Sequence, residues 1–135
     1  MSESENDPRT IVAMLALSSE EMPKPNAVAD ALRIRLPDGP LPEQVEGDEG
    51  TITFHLGTAI AAISLMPVPL PWSEIEGPCA TAWWWPDAAD EMRDHKNHII
   101  VALIGGEKSL LSRHVLLSQL LAAVAAVTDT VGVYW

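Results

Sequence analysis

The run from His95 to Gly106, HKNHIIVALIGG, constrains this chain more than any other stretch. Ile99-Ile100-Val101-Ala102-Leu103-Ile104 stands unbroken between a polar, histidine-bearing entry and a glycine pair. A short apolar run closed by glycines predicts a strand buried on both faces. Such a strand needs partners on both edges and cover on both sides, so the remaining segments must supply strands and helices to enclose it.

They do so in a regular order. Thr10 to Leu17, TIVAMLAL, predicts a buried first strand, with a helix left open by its alanines and methionine. Pro23 and Pro25 break the next segment, and Asn26 is placed to cap a helix running to about Arg35. Pro37 to Gly50 gathers prolines, glycines and acidic residues and predicts a loop. Thr51 to Leu56 alternates cleanly, with Ile52, Phe54 and Leu56 on the core face, and Gly57-Thr58 turns it into a second strand, Ala59 to Met66. Met66-Pro67-Val68-Pro69-Leu70-Pro71-Trp72 predicts an extended exit. Ser73 and Glu76 have capping-box spacing for one helical turn, which Gly77-Pro78 interrupts. Pro86 and Asp87 start a helix expected to reach about His95, with Asn97 capping its end. After the central strand, Ser109 caps a long helix to about Thr128, apolar nearly all round through Leu110, Val115, Leu117, Leu120, Leu121 and Val124. Thr130 to Trp135 is a final strand, and an end on an aromatic strand residue suggests a missing continuation.

The expected order is β-α-β-β-α-β-α-β. Its first six elements match the split β-α-β ferredoxin-like pattern, extended by a C-terminal helix and strand, which gives an α+β two-layer sandwich. The 135 residues suit one domain, residues 1–9 are polar and expected to be disordered, and 47% hydrophobic content supports a core without disulfides or metal. A net charge of -11 argues against nucleic acid and anionic membranes as direct partners. Leu110 to Val127 is interrupted by Ser112, Arg113, His114, Ser118 and Gln119, so it reads as a buried helix rather than a membrane span. Cys79 is the lone cysteine and the start lacks signal-peptide character, which together point to the cytoplasm.

Several residues invite chemistry. His95 and His98 follow Glu91 and Asp94, and imidazole nitrogens with a carboxylate suit zinc or another divalent ion, though the spacing is not H-E-x-x-H. Against this, His95 would cap the helix C-terminus and His98 would bond to backbone. Trp83-Trp84-Trp85 cannot all face inward on a regular element, and Trp72 joins them as an aromatic wall for a ligand or partner, or as a lid over the sheet. Cys79 reads as a nucleophile or, more plainly, as a buried inert thiol. The acidic cluster Glu43, Glu46, Asp48, Glu49 lacks EF-hand spacing and reads as a solvated turn. Gly105-Gly106-Glu107-Lys108-Ser109 would suit an anion but lacks the P-loop pattern, and a strand-to-helix turn accounts for it.

The segments MPVPLPW (Met66 to Trp72), EGPCATAWWWPDA (Glu76 to Ala88), HKNHIIVAL (His95 to Leu103) and GVYW (Gly132 to Trp135) resemble the bacterial family catalogued as domain of unknown function 4261. The resemblance covers the chain from about Leu65 onward and implies a continuation after the last strand. It implies no activity, since the family's name states none. Two function classes follow. One is a small bacterial interaction or inhibitor-like module without catalysis or cofactor, facing a basic protein partner. The other is a metal-dependent hydrolase or metal-binding protein built on His95, His98 and a carboxylate from Glu91 or Asp94. The apolar long helix and the final strand both leave surface for a second copy, so a homo-oligomer is expected.

Overall fold

Residues 10–19 and 21–135 are described by a computed structural model, and the expected disorder of 1–9 falls outside them. The elements are β1 (Ile11–Leu17), α1 (Pro25–Arg35), β2 (Pro42–Asp48), β3 (Thr51–Leu56), β4 (Ala59–Met66), α2 (Trp72–Thr81), α3 (Ala88–Arg93), β5 (Asn97–Gly105), α4 (Leu110–Ala126) and β6 (Thr130–Tyr134). The class is α+β. The strands form one sheet in the order β2-β3-β4-β5-β1-β6, and every neighbouring pair is antiparallel.

β5 is paired along its length to β4 and to β1, as its apolar run requires. One face of the sheet carries Leu15, Leu17, Ile52, Phe54, Ile63, Ile99, Val101 and Leu103, and packs against Val28 and Leu32 of α1 and Leu117, Leu120 and Val124 of α4. All are essentially buried, and each large side chain among them contributes about 1.5–3 kcal/mol of hydrophobic stabilisation. The opposite face is covered only in part. There Ala16 meets Leu70, Ile75 of α2 and Met92 of α3, with Met14, Trp72, Trp85 and Tyr134 around them. Val12, Ile60 and Ile104 on that face stay exposed. The expectation of a strand buried on both sides therefore holds for the start of β5 and fails at its Ile104 end.

The strand order does not confirm the ferredoxin-like core. That core sets the first strand beside the second strand of the hairpin, whereas here β5 lies between β1 and β4. The reason is that α2 and α3, which join β4 to β5, lie on the other face and do not serve as a crossover, so β5 returns directly alongside β4. A split β-α-β unit exists elsewhere. β1 is antiparallel to both β5 and β6, so those two run parallel, with β1 inserted and α4 connecting them.

Local departures have local causes. The predicted loop at 37–50 contains β2, an edge strand with Pro42 at its first position, where no ladder N–H is needed. A register shift between Glu43 and Glu46, with Gln44 at φ 53°, hid the alternation from sequence reading. The single turn expected at Ser73 is a full helix, α2, with Pro78 inside it and Ile75 as its buried anchor. Conversely, the helix expected from Pro86 to His95 is only the short α3. Asn97 does not cap it; its side-chain amide donates to the Ser19 carbonyl from within β5. Leu110 and Val115, part of the all-round apolar surface of α4, are exposed.

Candidate functional site

The α2–α3 side of the sheet holds most of the residues singled out by sequence. The connection between the two helices places Trp83 and Trp84 outward, 83% and 70% exposed, with their rings edge to face at 5.8 Å. Trp72 and Trp85 turn inward and are half-buried. Their indole N–H groups donate to carboxylates, Trp72 to Glu76 at 3.2 Å and Trp85 to Glu91. The three consecutive tryptophans thus divide into a lid residue and an exposed pair. Trp85 lies over Gly132 of β6, where an added Cβ would meet Met92 Sδ at 2.8 Å and the indole ring at about 3 Å. The Arg93 guanidinium stacks over Trp72 at 5.0 Å and is tied to Asp90 at 3.3 Å. A shallow hollow of about 160 Å³, lined by Cys79, Trp84, Trp85, Val133 and Tyr134 among others, adjoins the exposed pair. Glu74 and Glu76 of α2, Asp90 and Glu91 of α3 and the α3 N-cap Asp87 are exposed.

His95 and His98 are buried beneath the same side, 6% and 7% exposed. The proline-rich exit at 67–71 lies against them. The Leu70 N–H donates to His95 Nε2 at 2.8 Å, and His95 Nδ1 donates to the Met92 carbonyl. His98 Nδ1 donates to the Val68 carbonyl at 2.7 Å. Both rings therefore fasten the exit strap to the start of β5 and the end of α3. A metal on His95 Nε2 would have to displace the Leu70 N–H. Glu91 is not on one helix face with His95, because α3 ends at Arg93 and the Glu91 carboxylate serves Trp85. Asp94 is the exposed C-cap of α3. Among the described residues, no three of His, Cys, Asp and Glu come together at metal-binding range. Burial pushes the Cys79 thiol above its ordinary pKa, partly offset by the nearby Arg93 charge, so a reactive thiolate is disfavoured at neutral pH.

One residue escaped sequence reading as a site. Arg113, on the second turn of α4, is 7% exposed, and its Nε and Nη1 have no hydrogen-bond partner among the described residues. It lines a cleft of about 440 Å³ between α4, the β3–β4 turn and the segment after α1. The signal in the sequence was the one Lys or Arg in a mostly apolar helical run, Leu110 to Ala126. That arginine is informative as an argument against a membrane span, and equally as a buried charge in search of a partner. No helix of the described residues is long and apolar enough to cross a membrane. No family model, curated protein or solved structure matches the chain.

Proposed function

We propose that this chain is a non-catalytic interaction module, inhibitor-like in kind, whose α2–α3 face receives a basic segment of another protein. The observation that carries the reading is the exposed Trp83–Trp84 pair, on a connection between two helices that carry exposed carboxylates. Tryptophan dominates partner hot spots, and an indole face flanked by acidic groups favours lysine and arginine through cation–π and ionic attraction together. Arg93 over Trp72 displays the same chemistry within the chain. A chain net charge of -11 adds long-range attraction for a cationic partner. A cytoplasmic location fits the lone thiol.

Kinship with the bacterial family of domain of unknown function 4261 belongs to the same proposal. The segments that carry the resemblance supply Leu70, Trp72, Cys79, Trp85 and Tyr134, which build this side of the sheet. We also propose self-association through β6, argued below.

The test is a titration with an oligo-arginine peptide followed by tryptophan emission, paired with capture of partners from a bacterial extract. Saturable, salt-sensitive binding that is weakened at least about tenfold by Trp84→Ala and untouched by Ile34→Ala on the far side supports the reading. No emission change at millimolar peptide, or equal binding by the Trp84 variant, removes it. The metal-dependent alternative requires stoichiometric zinc in the purified chain that is lost on His98→Ala.

A further inference from the structure

We propose that the cleft at the β5–α4 junction binds a small organic monocarboxylate with an apolar body, its carboxylate held by Arg113. Three observations converge. First, Arg113 is buried with two guanidinium nitrogens unpartnered among the described residues. Arginine keeps its charge at every physiological pH, and an unpaired buried charge is among the costliest features a fold can retain. Glu107 is the acidic residue lining the same cleft, yet it stands exposed and makes no ion pair with Arg113. Among the described residues none supplies the counter-charge, and a bound carboxylate would.

Second, the cleft has the size and character of a small-molecule site. Its volume of about 440 Å³ falls within the roughly 300–1,000 Å³ range of such pockets. Leu36, Leu56, Leu103, Val115 and Leu116 make its walls apolar. One guanidinium in an apolar hollow matches one carboxylate on an apolar body. A phosphoryl or nucleotide ligand would need several converging donors.

Third, a left-handed glycine pair brings the end of β5 alongside the arginine. Gly105 and Gly106 take φ 74° and 97°, and a Cβ on Gly106 would stand 3.2 Å from Ala59 Cβ and 3.7 Å from Arg113 Cγ. A side chain at 106 would press on Ala59 and touch the arginine stem at ordinary contact distance. The flank of α4 borders the cleft through Ser112, Arg113, Val115 and Leu116. Nε and Nη1 each form one of the two guanidinium forks with Nη2, and rotation about the terminal torsions turns a fork onto an oxygen in the cleft.

The probes are sodium octanoate, octanol and inorganic phosphate, measured on the full chain by calorimetry and thermal melting. Octanoate is expected to bind saturably and raise the melting temperature, with octanol and phosphate at least about tenfold weaker. Arg113→Met is expected to fold with an unchanged or higher melting temperature in buffer, and to lose the preference for octanoate over octanol. Arg113→Lys, which keeps charge but not the fork, is expected to bind octanoate more weakly. Glu107→Gln, which removes a like charge from the rim, is expected to bind it more tightly. Equal affinity for octanoate and octanol, phosphate binding as well as octanoate, or no octanoate binding at millimolar concentration each overturns the proposal, whatever the variants do.

Discussion

His95 is bonded at both ring nitrogens, accepting from the Leu70 N–H and donating to the Met92 carbonyl, so it joins three pieces of chain at one point. His95→Ala leaves the buried Leu70 amide without its acceptor, while the Met92 carbonyl keeps the backbone N–H of residue 95, and is expected to lower stability by about 1–3 kcal/mol, read as a drop in the urea midpoint at unchanged slope. An unchanged midpoint would mean that the strap at 67–71 is held by its prolines and Leu70 alone. Cys79 gives a second outcome at this scale. Because burial raises its pKa, alkylation by iodoacetamide is expected to be slow at pH 7 and to rise with pH to a midpoint above that of a free thiol. A midpoint below the ordinary thiol value would restore Cys79 as a nucleophile. These residue types were visible in the sequence, but their partners were not. The capping role of His95 was legible in outline, since a histidine after a helix is favoured there. That its other nitrogen takes the Leu70 N–H depends on a contact 25 residues away, which no local pattern encodes.

At the scale of elements, the junction of β5 and α4 shows how local chemistry sets the chain path. Gly105 and Gly106 take the left-handed conformations that end the strand, and Ser109 then accepts from the Ser112 N–H at 3.2 Å to begin the helix. Ser109→Ala is expected to cost about 1 kcal/mol, measured by chemical denaturation, while Ser109→Asp preserves stability. A loss in both variants would point to crowding at the junction in place of capping. This cap was read directly from sequence, as was the β3–β4 hairpin, because each rests on contacts between near neighbours. β2 was not, since its inward residues are only Pro42 and Val45 and a bulge splits them out of phase. α2 was missed for a related reason. Pro78 reads as a breaker, yet the packing of Ile75 against Met92 and Ala16 and the Thr81 hydroxyl bond to the Gly77 carbonyl at 3.1 Å hold the turn around it. Long-range packing overrode a local signal in both cases.

Among the described residues the whole sheet is open, with two unlike edges. β2 is guarded by exposed Glu43, Glu46 and Asp48, by Pro42, and by the bulge at Gln44. β6, Thr130-Val131-Gly132-Val133-Tyr134, has neither charge nor proline, and Val133 is 47% exposed. An unprotected edge of this kind pairs readily with a copy of itself. A net charge of -11 opposes that pairing, but the acidic edge lies five strand spacings from β6, roughly 24 Å at ~4.8 Å each, well beyond the screening length of about 8 Å at physiological salt. Asp129 is the charge immediately before β6, and it sits at one end of the strand, where antiparallel pairing sets the two copies apart. Two chains joined antiparallel through β6 would therefore form one continuous sheet, with the second copy beside the hollow lined by Val133 and Tyr134. Light scattering is expected to give twice the 14.6 kDa chain mass at physiological salt, with a shift toward monomer at low salt as repulsion lengthens. Val133→Lys is expected to yield a monomer with unchanged far-ultraviolet circular dichroism. A wild-type chain that stays monomeric across the accessible concentration range would show that repulsion outweighs edge pairing, and the sheet would then end at β6 in solution.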